Sequence, residues 1–189
     1  MYFADQTFTT MADLPTPWAE AEFEGCTFAG LDLGQAACQR ARFTDCTFVD
    51  CNLSNARLDE ARLNNVAFVG CKLTGIAFGR VGRLAFSVRF ERCNLALASF
   101  ANQSLKKTRF DACQLHEAAF LNCDLTEAVF ADCNLDLAHF SECNLTRTDF
   151  TTSDNLRLEP TENTLKKTRL SLRNLPGLLT RFDLDVVAA

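Results

Sequence analysis

Large apolar residues recur every five positions along most of this chain. From Phe23 the series runs Phe28, Leu33, Cys38, Phe43, Phe48, Leu53, Leu58, Leu63, Phe68, Leu73 and Phe78. It resumes at Phe90 and continues unbroken through Leu95, Phe100, Leu105, Phe110 and onward to Phe150. Of these twenty-five positions, twenty-four are Phe or Leu. Phe3, Phe8 and Trp18 share the phase upstream. A helix repeats near 3.6 residues and a strand near 2, so neither element alone keeps residues five apart on one side. A five-residue unit suits one side of a coil that turns a corner after each unit. If four sides close a turn, residues twenty apart stack in columns. Phe28, Phe48 and Phe68 then form one column and Leu33, Leu53 and Leu73 the next.

The gap from Phe78 to Phe90 tests this geometry. It holds two repeats plus two further residues. With a two-residue bulge inside 79–89, the first column continues as Phe90, Phe110, Phe130 and Phe150, and the second as Leu95, Leu115 and Leu135. Both columns stay pure, whereas a seven-residue insertion would mix them. Coils stacked like parallel strands lie ~4.8 Å apart. The axis is then filled by side chains, each contributing on the order of 1.5–3 kcal/mol before the entropy of ordering is subtracted. Stability is spread along the rod as neighbour-to-neighbour terms. Seventeen Phe against one Tyr and one Trp fit this structural role, since ligand-recognising surfaces favour Tyr and Trp.

Two residues before each large residue stands a small one, and this is where nine of the ten cysteines fall, Cys38 standing in the large series itself. Cys51, Cys71, Cys93, Cys113 and Cys133 share one column, Cys26 and Cys46 a second, and Cys123 and Cys143 a third. A neighbouring column carries Ala36, Ala56, Ala98, Ala118 and Ala138 instead. Cys and Ala therefore fill the same packing role, and the ten thiols read as small buried hydrophobes. Stacked Cys would have parallel Cβ vectors, which does not suit a disulfide, and no zinc-ligand spacing occurs. Leu31, Ile76 and Gln103 depart from the small-residue rule.

The triplets Cys123-Asp124-Leu125 and Cys143-Asn144-Leu145 carry the pattern Ala/Cys–Asp/Asn–Leu/Phe–x–x, which resembles the pentapeptide-repeat family. The resemblance covers roughly Phe23 to Phe150 and implies an all-β, right-handed quadrilateral parallel β-helix. It implies a single domain over 1–189. An N-terminal cap and first coil occupy 1–22, repeat runs fill 23–78 and 90–150 around the bulge, and C-terminal coils with a short helical cap follow over 151–189. The run from Phe150 through "LRLEPTENTLKK" to "GLLTRFDLDVV" is similar to the tail of the Qnr-like and McbG-like, topoisomerase-interacting subgroup. That likeness implies a head-to-head homodimer through the C-terminus and a type II topoisomerase (DNA gyrase or topoisomerase IV) as partner, with quinolone or toxin resistance as the associated role. Qnr proteins that protect gyrase carry two projecting loops. The single two-residue excess here departs from that pattern, which counts against quinolone protection and leaves open a smooth-rod mode like that of MfpA, a DNA mimic.

Other functions are disfavoured. Net charge is -5 with a pI near 5.1, so direct nucleic-acid binding and an anionic membrane surface are not expected. The first residues show no charged and apolar leader, and no run approaches the ~18 apolar residues of a membrane span. A cytoplasmic protein without cofactor or metal is the expectation. His116 and His139 fall on outward positions in different coils, without a nucleophile at a motif spacing. The glycines of "GRVG" (79–82) suit the unusual backbone of a bulge, and a regular convex rod offers no pocket to tune a carboxylate. The chain therefore reads as a non-enzymatic binding protein. Its alternative is a structural scaffold with an unrelated protein partner.

The candidate contacts are surface features. Glu91 and Asp111 should stack, with Asp132 one position on, and Glu117 and Asp136 on the adjacent side, diluted by Lys106, Lys107 and Arg109. Glu91, Asp111, Asp132 and Asp136 are the expected phosphate-like charges. Arg80, Arg83 and Phe86 in the bulge form a second expected contact. At the ends, Pro15, Pro17 and Trp18 should close the first coil. Asn174 should N-cap a short helix with Pro176 in its first turn, and "DLDVV" should form a last strand. Leu178, Leu179 and Phe182 are the expected dimer contacts.

Overall fold

The computed structural model describes residues 1–14, 18–84, 86–182 and 184. The chain forms the parallel, four-sided β-solenoid that its period demands. On the first face, Tyr2–Ala4, Glu22–Glu24, Arg42–Thr44 and Arg62–Asn64 make a parallel ladder in that order. On the second, strands run from Thr7–Phe8 through Thr27–Ala29, Thr47–Val49, Val66–Val69, Val88–Glu91 and Arg109–Asp111 to Val129–Ala131. The third face is held by single bridges, Asp32 to Asn52 to Lys72 to Asn94 to Gln114 to Asn134 to Asp154. The fourth carries Ala77, Ser99, Ala119 and His139 in register.

The predicted columns are present. Phe48 pairs with Phe68, Phe68 with Phe90, and Phe90 with Phe110, so the bulge adds two residues and the register resumes. The rings of this column lie parallel, with centroids 5.1 Å apart for Phe48–Phe68 and 4.6 Å for Phe110–Phe130. On the opposite face Phe78, Phe100, Phe120 and Phe140 stack at 4.7–4.9 Å. The two columns meet edge to face across the axis: Phe110 and Phe120 are 6.0 Å apart at 86°. Both geometries suit the ring quadrupole.

Corners are made by a residue in the left-handed region two places after each large residue. Asp45, Asp50, Asn55 and Glu60 are successive examples, with φ between 50° and 59°. Asn and Asp tolerate this region better than most residues, but Leu97 and Leu137 adopt it too, which costs a branched side chain more.

The small inward position does more than fill space. Cys51 Sγ lies 3.4 Å from the Phe28 carbonyl oxygen, Cys71 Sγ 3.4 Å from that of Phe48, and Cys133 Sγ 3.3 Å from that of Phe110. Each thiol donates to the coil below. Thr148, Ser153 and Asn163 take over this role near the C-terminus, donating to Leu125, Phe130 and Phe140. The ten thiols are free and buried. Burial and neighbouring thiols push Cys38, Cys71, Cys93 and Cys113 up to about 12 and Cys46 to about 11, so these sulfurs stay protonated at neutral pH.

At the N-terminal end Trp18 closes the first coil, its ring 5.4 Å from those of Phe23 and Phe28. Pro15 and Pro17 lie outside the described residues, as does the expected strand over 183–187 apart from Leu184. The C-terminal helix differs from expectation. It is a 3-10 helix over Leu172–Leu178 with Ser171 at its N-cap. Asn174 is therefore not the cap but the buried anchor of the helix, donating through Nδ2 to the Phe150 carbonyl at 2.9 Å. Gly177 is required by close approach: a Cβ there would lie 1.8 Å from the Leu156 carbonyl oxygen.

Candidate partner-binding surfaces

The bulge is a short excursion pinned on both sides. Phe78–Arg80 form a single 3-10 turn, after which the Gly82 N–H donates to Ala61 O at 2.8 Å and the Ser87 N–H to Leu63 O at 2.8 Å. Gln103, the polar exception in the repeat, is buried in the coil above and donates to the carbonyls of Phe78 and Val81. Neither Gly79 nor Gly82 has a positive φ, contrary to the expectation of unusual backbone. Gly79 is needed because a Cβ would come within 2.9 Å of the Ala101 carbonyl oxygen.

This anchoring decides which bulge residues face outward. Arg80 and Arg83 are exposed, as expected. Phe86 is turned inward: it packs on the core, its ring 6.4 Å from that of Phe78. The apolar residue that projects is Leu84, 78% exposed, which sequence reasoning missed. No pattern in the sequence marks it, because the bonds that pin the two ends of the loop are made by backbone groups.

The acidic residues lie where the register puts them, but not alone. Asp111 sits directly above Glu91 in the ladder. Asp111 is held by both Nε and Nη2 of Arg109, at 3.2 and 2.7 Å, and Glu91 pairs with Arg92. The Asp111 carboxylate pushes the Arg109 guanidinium further above its ordinary value, so that pair stays charged. The Asp136 carboxylate lies 3.0 Å from His116 Nδ1, while His116 Nε2 stands 3.0 Å from Glu117. Asp132 has no basic partner among the described residues. Six carboxylates of the first three coils, Asp5, Asp13, Glu24, Asp32, Asp45 and Asp50, also lack one there, and sequence reasoning did not single them out. Elsewhere opposite charges alternate up the corners. Arg40 bridges Glu20 and Glu60, and Glu127 lies between Lys107 and Arg147. Such exposed pairs contribute ~0–1 kcal/mol each.

Two open clefts interrupt the convex surface of the rod. A cleft of about 440 Å³ opens where the C-terminal helix crosses the last coil, with Asp136, Asp154 and Arg173 among its walls. A second, of about 380 Å³, lies beside the bulge and is lined by Arg40, Arg42, Arg62, Arg80 and Arg83 with Glu60 and Leu84. Among the described residues no cluster of His, Cys, Asp and Glu could hold a metal ion, and no helix is long and apolar enough to cross a membrane.

At the C-terminal end Leu178 packs against the core and Leu179 is half-buried, whereas Phe182 is 57% exposed. Leu172, Leu175 and Leu184 of the same C-terminal segment are also exposed.

Residues 21–100 and 85–170 match the description of a pentapeptide repeat region. A trypsin-treated variant of QnrB1, described as a plasmid-mediated fluoroquinolone resistance protein, has a similar structure. Its TM-score is 0.71 at 17% identity over 100% of this chain and 92% of that one. HetL, a pentapeptide repeat protein involved in heterocyst differentiation regulation in the cyanobacterium Nostoc, is more distant, with TM-score 0.40 and 19% identity over 82% of this chain and 68% of that one. No curated protein sequence matches the chain.

Proposed function

The chain belongs to the pentapeptide repeat family, and from that premise we propose that it is a non-enzymatic binding protein of the cytoplasm whose partner is a type II topoisomerase. The observation that carries the reading is the stack of Asp111 on Glu91. Carboxylates one coil apart along a straight rod offer negative charge at a regular rise, with Asp132 and Asp136 on the following coil. A basic groove built for duplex DNA would accept such a surface, and salt would screen the attraction. The likeness to QnrB1, described as a fluoroquinolone resistance protein, gives the fold, and the choice of topoisomerase rests on the resemblance of the C-terminal tail to the Qnr-like subgroup. The bulge residues Arg80 and Arg83 offer a second contact, and the exposed apolar end around Phe182 offers a homodimer contact.

A second reading, a scaffold for an unrelated protein, is favoured by one specific feature. Arg109 and Arg92 neutralise Asp111 and Glu91, so the strip is less acidic than its carboxylates alone. DNA-gyrase supercoiling with purified protein, with and without a quinolone and across a salt series, separates the two. The topoisomerase reading expects inhibition or rescue at micromolar protein and low salt. It also expects loss of that effect in Asp111→Lys/Asp132→Lys, whose side chains face water. Wild-type protein with no effect on the enzyme would leave the scaffold.

A further inference from the structure

The cleft beside the bulge concentrates cations on an otherwise acidic protein. Five arginines line it, against the single carboxylate of Glu60, which Arg40 already spans together with Glu20. Arg42 and Arg62 are register partners on adjacent coils of the first face. Like charges directly opposite each other in a ladder oppose pairing. Arg42 is relieved by Glu22 at 2.6 Å and Arg80 by Asp59 at 3.3 Å. Arg62 and Arg83 have no carboxylate within ion-pair distance among the described residues. These two guanidiniums, one on the coil and one on the loop, leave positive charge in the cleft that the protein does not itself compensate.

We propose that this cleft docks an acidic segment of a partner protein, with Arg62 and Arg83 pairing its carboxylates and Leu84 covering an apolar side chain beside them. Charge complementarity selects an anionic occupant, and the guanidinium fork matches a carboxylate in two parallel bonds. Exposure selects a protein segment over a small ion. The side chains of Arg40, Arg42 and Arg80 are 50–72% exposed, so an ion resting there would keep its water and gain little. A segment that also covers Leu84 excludes that water. The net charge of -5 and the acidic corners flanking the cleft, Glu20 and Asp59, disfavour a long polyanion such as nucleic acid. The inference goes beyond the topoisomerase reading, and its test uses no topoisomerase, so either can fail alone.

The probe is a fluorescein-labelled ten-residue peptide of Asp and Glu with one central Leu, titrated by anisotropy against the full chain at low salt. Saturable binding is expected. It should weaken about tenfold in Arg62→Gln/Arg83→Gln and about threefold in Leu84→Ser, with the charge-matched surface variant Lys166→Gln/Lys167→Gln unchanged. Circular dichroism serves as the fold control, and the altered side chains face solvent. Absence of saturation at millimolar peptide, or equal binding by Arg62→Gln/Arg83→Gln, overturns the proposal. So does a Leu→Gly peptide that binds as well as the parent while Leu84→Ser has no effect, because the cleft is then a plain oxyanion site. Displacement of the peptide by inorganic pyrophosphate at matched charge overturns it for the same reason.

Discussion

The carboxamide nitrogen of Gln103 lies 2.9 Å from the Phe78 carbonyl oxygen and 3.0 Å from that of Val81, spanning the start of the bulge from the coil above. Gln103 occupies the place that Cys fills elsewhere, and its bond to Phe78 repeats the bond of Cys93 to Phe68. Its extra length lets it reach the Val81 carbonyl in the bulge as well. Removing the carboxamide leaves the Val81 carbonyl without a donor, while the Phe78 carbonyl keeps the Val81 N–H at 3.1 Å, so the penalty is that of one buried unsatisfied group, about 1–3 kcal/mol. Gln103→Ala should lower the urea midpoint accordingly and speed hydrogen exchange over 81–87. Gln103→Cys should fall between, since a thiol reaches Phe78 but not Val81. Equal midpoints for all three would mean the loop holds itself.

The thiols predict an alkaline limit. A buried Cys raised to about 12 stays neutral in the folded chain while the unfolded thiol ionises near 8.5. Above that unfolded value the unfolded state loses protons first, so stability falls as pH rises toward the folded value. Each such thiol contributes a slope of about 1.4 kcal/mol per pH unit through the window. Urea unfolding at pH 7, 9 and 10 should show a steep decline. Cys93→Ala/Cys113→Ala should flatten it, because Ala already fills equivalent places at Ala98 and Ala118. Thiol titration should be slow in the native protein and complete in urea.

Phe110 tests the shared core. It is fully buried, stacked on Phe90 and Phe130 and edge-on to Phe100 and Phe120. Phe110→Ala should cost ~3–5 kcal/mol, since a ring clamped from above and below leaves a cavity that cannot collapse. In a solenoid the loss should propagate to both neighbouring coils, seen as raised hydrogen exchange over 88–91 and 129–131. A small change confined to its own coil would contradict the column.

The period of five was enough to place Phe110 on Phe90 and to size the bulge, because each inward residue reports its own column. Surface chemistry was readable by the same rule, though only when both charges are followed. Glu20, Arg40 and Glu60 stand twenty apart, as do His116 and Asp136, and Arg42 and Arg62. The same rule picked out Glu91 and Asp111 and noted Arg109 as a diluting charge, but it passed over Arg92, which pairs with Glu91 from the next position. The bulge was beyond this rule. Phe86 is out of phase, and its inward turn follows from backbone bonds to Ala61 and Leu63 that no pattern encodes. The buried role of Asn174 was hidden for a similar reason: Asn is a common N-cap, and only the coil beneath supplies the Phe150 carbonyl it serves.

The C-terminal end gives the last prediction. Leu178 packs against the core, so its loss should weaken folding rather than association. Phe182, Leu175 and Leu172 are exposed at the same end, and an apolar surface at the tip of a rod is suited to a two-fold contact with a second copy. If that contact exists, light scattering should give twice the chain mass. Leu175→Asp/Phe182→Asp should halve the mass without shifting the urea midpoint extrapolated to low protein concentration. Leu178→Ala should lower stability by ~2–5 kcal/mol at most, less for its partial burial, and keep the dimer while the helix is folded. Leu179, half-buried between these groups, should show both effects weakly when changed to Asp. A wild-type mass equal to one chain would reduce the 3-10 helix to a cap, held in place by Asn174 and by the close approach of Gly177 to Leu156.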